Sequence, residues 1–296
     1  MHDPFPRDEY TRYGGLRMHV RNWGGEGRPL VLLHGLASTC RIWDLVAPIL
    51  ARDFSVIAVD LRGHGDSGKP DQGYDFANVS GDVASLLAGR GIERPVLVGH
   101  SWGADVALEL SVAEPELLQG IVFVDGGTID ASARYDTLDE ALAQMAPPDF
   151  RGVSRGQFLE RVRSGGQWAT LICEHGTAAE DIILGNFETL DDGTIRAKLA
   201  RENHLRIIEA LWDHHPRELY PDVRCPVLMM PARQSQNPDA YDRTLARSES
   251  IAAAERLLPH SRTVWLEDSI HDVPVQRPAL VAETIREHIH SGFFDS

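Results

Sequence analysis

The chain has 296 residues, of which 43% are hydrophobic and 25% charged, a composition that excludes an intrinsically disordered or collagen-like protein. The formal net charge of −15 argues against a nucleic-acid partner, because phosphate binding needs clustered Lys and Arg. Three scattered cysteines form no disulfide framework or zinc motif, and no apolar run reaches the roughly 18 residues of a membrane span. Because the polar N-terminus lacks a signal-peptide pattern, we expect a cytoplasmic protein.

The apolar pattern predicts an α/β fold with a mostly parallel sheet. Two alternating segments around Gly14 and Gly15 predict an antiparallel hairpin. Later apolar runs do not alternate with polar residues, which is typical of strands buried on both faces; they lie at 30–33, 55–59, 95–98, 121–124 and 226–230. Helical spacing follows Ser101 as far as Glu114, and it returns from Pro278 to near Gly292. This alternation of strands and helices predicts right-handed βα units with helices on both faces of the sheet.

One long stretch, 127–217, interrupts this rhythm. It has no strand-like apolar run but carries helical patches and scattered large apolar residues, and a linker would be poorer in aromatics. We therefore predict one α/β core formed by 1–126 and 218–296, with 127–217 inserted as a helical lid.

The strongest chemical signal is the G-x-S-x-G sequence at 99–103, centred on Ser101. It stands between a predicted strand and a predicted helix, the context in which this turn exposes a nucleophilic serine above a sheet. The alternative is a glycine-rich turn with an incidental serine. A serine nucleophile also needs two backbone N–H donors for the developing oxyanion. We expect these from Trp102, directly after the serine, and from Leu36, in the loop after the 30–33 strand.

The general base must be one of 13 histidines, and His271 is the best candidate. It follows a predicted strand at 263–266, so it reaches the edge of the sheet where Ser101 lies. His34, His64 and His100 sit in glycine-flanked turns, where packing is the simpler role. Other histidine pairs lack a complete ligand set, so we predict no metal site.

These features resemble the α/β-hydrolase superfamily, close to its lidded esterase and lipase-like branch. The resemblance rests on His34-Gly35, Trp43, the 60–67 loop, the 99–103 turn, the 226–230 strand and His271, and it spans about 9–290. It implies an α/β-hydrolase fold in which 127–217 takes the place of the variable lid. For the glycine-rich 60–67 loop we expect structural support of the nucleophile loop, since no Lys-bearing phosphate cradle follows it.

The acidic partner of His271 departs from the usual family pattern. The family usually carries an acid in the loop after the strand at 226–230, where this chain has Ser235. Asp239 and Asp242 follow a few residues later. Some relatives, including certain haloalkane dehalogenases, carry the acid one strand earlier, and Asp125 stands there. We favour Asp125 as the acid and keep Asp239 and Asp242 as alternatives. The other role open to Asp125 is that of a turn residue before Gly126 and Gly127.

The resemblance implies a cofactor-free serine hydrolase that cleaves a carboxylic ester through an acyl-enzyme. We expect a small-molecule substrate with an apolar portion, bound beside His34, Trp43 and Trp102, and a monomer or homodimer. Alternatives on the same residues are a C–C bond hydrolase, a lactonase and a perhydrolase. Epoxide hydrolase and dehalogenase chemistry is disfavoured, because those relatives use Asp in place of Ser101. A non-catalytic receptor with this fold is the alternative from another class.

Overall fold

The computed structural model describes residues 5–234 and 241–295, with side chains from 247 onward in the second range. The strands in these residues are β1 (Arg7–Tyr13), β2 (Leu16–Gly24), β3 (Pro29–Leu33), β4 (Ser55–Asp60), β5 (Val96–His100), β6 (Gly120–Val124), β7 (Phe187–Thr189), β8 (Ile195–Ala197), β9 (Val227–Met230), β10 (Ala232–Arg233), β11 (Ser261–Thr263) and β12 (Leu266–Glu267). The central feature is an eight-stranded sheet in the order β1-β2-β4-β3-β5-β6-β9-β11.

The predicted sheet is confirmed in type and largely in position. Strands β1 and β2 form the antiparallel hairpin, and β2 pairs antiparallel with β4. From β4 to β11 every pairing is parallel. The single strand predicted at 263–266 is wrong: β11 ends at Thr263, and β12 begins at Leu266 in a separate two-stranded sheet with β10. Parallel strands end at one edge of a sheet, and this places the loops that follow them side by side.

Helices pack on both faces of the sheet and also form much of the segment 127–217. They are α1 (Ala47–Leu50), α2 (Phe76–Arg90), α3 (Trp102–Ala113), α4 (Leu138–Gln144), α5 (Arg155–Ser164), α6 (Gly166–His175), α7 (Thr177–Leu184), α8 (Arg201–Trp212), α9 (Pro216–Leu219), α10 (Tyr241–Leu257), α11 (Val273–Gln276) and α12 (Pro278–His290). Local signals set their ends: Asp75 caps α2 by accepting the Asn78 N–H, and Gly91 ends it with a φ of 63°. In the described part of the chain, no helix combines the length and apolarity that a membrane crossing needs.

The two largest buried clusters lie one on each face of the sheet, and a third, smaller cluster lies within 127–217. Leu30 and Leu32 of β3 belong to one buried cluster, whereas Val31 and Leu33 belong to the other. Successive side chains of a strand point to opposite faces, so a run buried on both faces shows no polar alternation. This is the physical reason why the five apolar runs could be identified as strands.

The segment 127–217 lies between β6 and β9, which are neighbours in the sheet. It contains α4 to α8, in agreement with the predicted helical patches, but it is not helical throughout. Strands β7 and β8 form an antiparallel pair within it, and Ser154 bridges to Thr194 beside them. These three-residue strands carry no long apolar run, so the pattern that reveals buried strands misses them.

Candidate active site

Ser101 occupies a tight turn between β5 and α3. Its φ of 51° and ψ of −128° are unusual for a residue with a side chain, and its N–H donates to the Val124 carbonyl at 3.0 Å. A Cβ on Gly99 would lie 2.3 Å from the Ala104 nitrogen, and one on Gly103 would lie 2.6 Å from the His34 carbonyl oxygen. Both glycines are therefore required by close backbone contacts, as the motif predicts.

Asp125 follows β6 directly and is held rigidly. Its φ is 47°, a left-handed conformation that Asp tolerates better than most residues. The backbone N–H donates to the Met230 carbonyl at 3.1 Å. The carboxylate is almost fully buried, with 1% of its side chain exposed, and one oxygen accepts the Ala232 N–H at 2.9 Å. These contacts fix the carboxylate at the carboxyl end of β6.

His271 lies in the loop between β12 and α11 and links the two other side chains. Its Nδ1 is 2.6 Å from the second carboxylate oxygen of Asp125, and its Nε2 is 3.0 Å from Ser101 Oγ. The His100 ring donates from Nε2 to the His271 carbonyl at 2.8 Å, which fixes the loop against β5. The structure thus brings Ser101, His271 and Asp125 together from three separate loops.

The acidic groups around His271 favour its protonated form. Burial alone would lower the pKa of His271, but the hydrogen bond and charge of Asp125, together with the charge of Asp272, raise it above the ordinary 6.5. Burial alone would raise the pKa of Asp125, and the contacts with His271 and Arg247 lower it instead. Asp125 is therefore ionised at neutral pH and can hold His271 Nδ1–H toward itself, so that Nε2 faces the serine as an acceptor.

The loop after β3 places Leu36 beside Ser101. A Cβ on the preceding Gly35 would lie 3.0 Å from Ser101 Cβ, so this loop packs directly on the serine. Trp102 is the first residue of α3, and its N–H has no partner within the helix. The β3 loop and the first turn of α3 therefore both adjoin Ser101, and the oxyanion donors expected from Leu36 and Trp102 stay a prediction.

Two buried histidines shape that same loop. His34 donates from Nδ1 to the Gly35 carbonyl at 2.8 Å and accepts the Leu61 N–H at Nε2. His64 accepts the Ala37 N–H at 3.2 Å. Burial lowers the pKa of both rings, so both are neutral and can act as acceptors. The glycine-rich loop that carries His64 therefore supports the loop of Leu36, as well as lying near the nucleophile turn.

The residues predicted to line the substrate pocket lie beneath the site instead. His34 and Trp43 are fully buried, and Trp102 is 1% exposed. Trp43 packs into the core on one face of the sheet, and Trp102 into the core on the other. The expectation is wrong because proximity in sequence to the active loops does not set the direction of a side chain.

A cavity of about 290 Å³ opens beside Leu36 and Asp272, the residue after His271. Its wall comes from the β3 loop and from the inserted segment, and the large side chains in it are Phe150, Phe158, Trp168, Ile182, Ile183 and Phe187. Among the residues that the structure describes, the wall holds no Arg or Lys. The cavity suits an uncharged, apolar group.

The sequence did not predict the contact between Arg247 of α10 and Asp125. Its Nη1 lies 2.5 Å from Asp125 and 2.7 Å from the Ala232 carbonyl, and it lines a second cavity of about 470 Å³. The alternative acids are not placed: Asp239 lies outside the described residues, as does the side chain of Asp242. No local motif marks Arg247, which stands 122 residues from its partner in the chain.

A second unpredicted group anchors the loop after Asp125. Asp105 of α3 accepts the N–H groups of Gly127 and Ile129 and contacts His214 Nε2 at 3.2 Å. His214 also donates to Glu109 at 2.9 Å. Burial would lower the pKa of His214, but both carboxylates raise it to about 9, so the ring is charged at neutral pH. This ion network ties the nucleophile helix to the start of the inserted segment.

One buried group offers atoms of the kind that bind metals, namely His19, Cys40 and Asp60. The Asp60 carboxylate accepts hydrogen bonds from His19 Nδ1 and from the backbone N–H groups of Cys40 and Asp66, at 2.7–2.8 Å. These bonds satisfy the carboxylate and fix the 60–67 loop, which is a structural role.

Comparison with known proteins agrees with this fold. The profile of the "Alpha/beta hydrolase family" matches residues 30–284. The 2-(acetamidomethylene)succinate hydrolase of Mesorhizobium japonicum is 25% identical over 276 residues, which cover 93% of this chain and 92% of that protein. A soluble epoxide hydrolase of a Corynebacterium species is 40% identical over 111 residues, and this match spans 38% of each chain.

A solved structure of an esterase from a Rhodococcus species superposes with a TM-score of 0.68 at 26% identity, covering 97% of this chain and 98% of that one. The profile match extends over most of the chain and includes Ser101, Asp125 and His271. The chain therefore belongs to the alpha/beta hydrolase family, and the relatives compared here are hydrolases.

Proposed function

We propose that the chain is a cofactor-free serine hydrolase that cleaves a carboxylic ester through an acyl-enzyme. The observation that carries the proposal is the continuous chain of contacts from Ser101 Oγ through the His271 ring to the buried Asp125 carboxylate. Nucleophile, base and orienting acid are the three groups that acyl transfer requires.

The mechanism follows from these contacts. His271 Nε2 takes the hydroxyl proton as Ser101 attacks the ester carbonyl, while Asp125 stabilises the imidazolium. The N–H groups of Leu36 and Trp102 hold the oxyanion. His271 then returns the proton to the leaving alcohol, and in the second half it activates the water that releases the acid from Ser101. Atoms and charge balance with water as the only co-reactant.

The nucleophile separates this chain from part of its family. Relatives that open epoxides or remove halogens use an Asp nucleophile, as the sequence resemblance implies, whereas this chain has Ser101. The 40% identity to an epoxide hydrolase covers only 38% of each chain, so it supports shared architecture more than shared chemistry. C–C bond hydrolysis, lactone hydrolysis and perhydrolysis remain alternatives on the same three residues.

The cavity favours a neutral substrate. The relative from Mesorhizobium is named for a succinate, whose carboxylates need cationic partners. In the described residues, the wall beside Leu36 offers aromatic rings, the Asn186 amide, the Asp272 carboxylate and the ring of His204, whose pKa burial lowers, with no Arg or Lys. We therefore propose an ester with an apolar acyl or alcohol group and no charge.

The test is a hydrolysis screen of neutral esters, lactones and vinylogous diketones with the wild type, Ser101→Ala and Ser38→Ala. Ser38 lies in the cavity wall and provides a matched serine. We expect a fluorophosphonate probe to label the wild type and Ser38→Ala, and Ser101→Ala to lose both labelling and ester turnover. Full turnover by Ser101→Ala would refute the mechanism, and a wild type that neither labels nor turns over would favour a non-catalytic receptor.

A further inference from the structure

Arg247 contributes the one side-chain cation that the structure places against Asp125 besides the His271 ring, as far as the described residues show. It projects from α10, with 38% of its side chain exposed. Its Nη1 donates both to Asp125 Oδ1 at 2.5 Å and to the Ala232 carbonyl at 2.7 Å. One guanidinium therefore joins the acid to the strand beside it.

The two oxygens of Asp125 have separate partners. Oδ1 accepts from Arg247 and from the Ala232 N–H, while Oδ2 faces His271 Nδ1 at 2.6 Å. Two donors on one oxygen fix the plane of the carboxylate, and the other oxygen is left in line with the imidazole. Loss of the Arg247 bond would leave Oδ1 with one backbone donor in an almost fully buried position.

The charge of Arg247 also acts on the proposed base. The charged groups around His271 are Asp125 at the end of β6 and Asp272 on its own loop, and both favour the imidazolium. The neighbouring His100 ring is buried and uncharged, and burial together with His271 lowers its pKa to about 3. Arg247, on α10, opposes protonation of His271. A general base must be neutral before it can accept a proton.

We propose that Arg247 is a positioning residue, which holds Asp125 through Oδ1 and limits premature protonation of His271. This role rests on the proposed serine hydrolase function. Asp125 would then be a carboxylate with Arg247 as its fixed cationic partner. The guanidinium of Arg247 would weaken the attraction between Asp125 and the His271 imidazolium.

The experiment compares Arg247→Met, which removes the charge, with Arg247→Lys, which keeps it, in pH profiles of kcat and kcat/KM on a neutral ester. Arg256→Met is the matched control, since Arg256 is exposed and lies nine residues further along the same helix, about 13 Å along its axis. We expect Arg247→Met to lower kcat about 10- to 100-fold with little change in KM, because the base is less well aligned.

The pH profile carries the decisive readout. In Arg247→Met the acid limb of kcat/KM should move up by about half to one pH unit, because His271 loses an opposing charge that is partly screened by solvent. Arg247→Lys and Arg256→Met should keep the wild-type midpoint. If Arg247→Met does not fold, Arg247→Gln removes the charge while keeping hydrogen-bond donors.

An acid limb that stays in place or moves down in the charge-removing variant would overturn the proposal, and so would an equal shift in Arg256→Met. These outcomes are distinguishable from failure of the proposed function. If fluorophosphonate labels Ser101 and Ser101→Ala is inactive, the hydrolase stands whatever Arg247→Met shows. If Ser101 is not required for turnover, the function itself has failed.

Discussion

Replacing Asp125 with Asn tests the orientation of the proposed base. The position of Oδ1 receives two donors, Arg247 Nη1 at 2.5 Å and the Ala232 N–H at 2.9 Å. In Asp125→Asn the side-chain carbonyl oxygen should therefore occupy the Oδ1 position, because the flipped orientation would place the NH₂ group there, against two other hydrogen-bond donors. The NH₂ group would then point at His271 Nδ1.

This orientation reverses the role of the imidazole. His271 Nδ1 must accept the amide hydrogen, so the ring proton moves to Nε2, which faces Ser101 Oγ at 3.0 Å. An imidazole protonated at Nε2 cannot take the serine proton, and the imidazolium also loses its carboxylate. We expect kcat to fall about 10⁴-fold, equivalent to about 5.5 kcal/mol in the barrier. KM should change little, since Asp125 is almost fully buried and has no part in the cavity wall.

The assay is steady-state hydrolysis of a p-nitrophenyl ester, with thermal unfolding recorded for each variant to exclude loss of the fold. Asp239→Asn and Asp242→Asn are the matched controls, since each removes one carboxylate from the loop region that the family usually uses. We expect both to remain close to the wild type. More than about a tenth of wild-type kcat in Asp125→Asn, or a comparable loss in either control, would refute the reasoning about the acid.

Three further outcomes follow from the geometry. The kcat/KM of the wild type should be lost as pH falls through a midpoint above 6.5, because the acidic neighbours of His271 raise its pKa and the charged ring cannot act as a base; a midpoint below 6.5 would contradict this. Gly103→Ala should destabilise the fold by about 1–3 kcal/mol in thermal unfolding, since its Cβ would press on backbone oxygens at 2.6–2.8 Å, whereas Gly81→Ala, with open space around it, should be neutral or stabilising. At pH 8, Asp272→Asn should raise the ratio of kcat/KM for an ester bearing a carboxylate to kcat/KM for a neutral ester by about tenfold, because a repelling charge is lost from the cavity wall. An unchanged ratio would show that Asp272 does not determine substrate specificity.

Much of the scaffold was predictable because burial on both faces leaves a simple trace in the sequence. The continuous apolar runs identified β3, β4, β5, β6 and β9, and the carboxyl ends of such strands meet at one edge. Ser101, Asp125 and His271 each follow one of these strands or the short strand β12, and the choice of Asp125 over Asp239 and Asp242 came from the resemblance to the family. The helices α2 and α10 were not identified from the sequence.

The parts that sequence reasoning missed depend on side-chain direction and on distant pairing. Trp43 stands close to the active loops in sequence but turns into the core, whereas Phe150 and Phe187 of the inserted segment reach the cavity. Arg247 meets Asp125 only through the packing of α10 against the end of the sheet. No local sequence motif predicts the direction of these side chains or the contact of Arg247 with Asp125, because both depend on how distant segments pack in the folded protein.

The distribution of charge around the site gives the net charge of −15 a meaning that composition alone did not supply. The buried carboxylate of Asp125 is matched by His271 and Arg247. By contrast, the described wall of the cavity carries Asp272 without an Arg or Lys. An anionic substrate in this cavity would lie beside the Asp272 carboxylate in a largely apolar wall without an Arg or Lys to replace its lost hydration, and the net charge of the chain would add repulsion. Under the proposed mechanism, a neutral ester would avoid both costs, and its negative charge would develop toward the proposed N–H donors of Leu36 and Trp102.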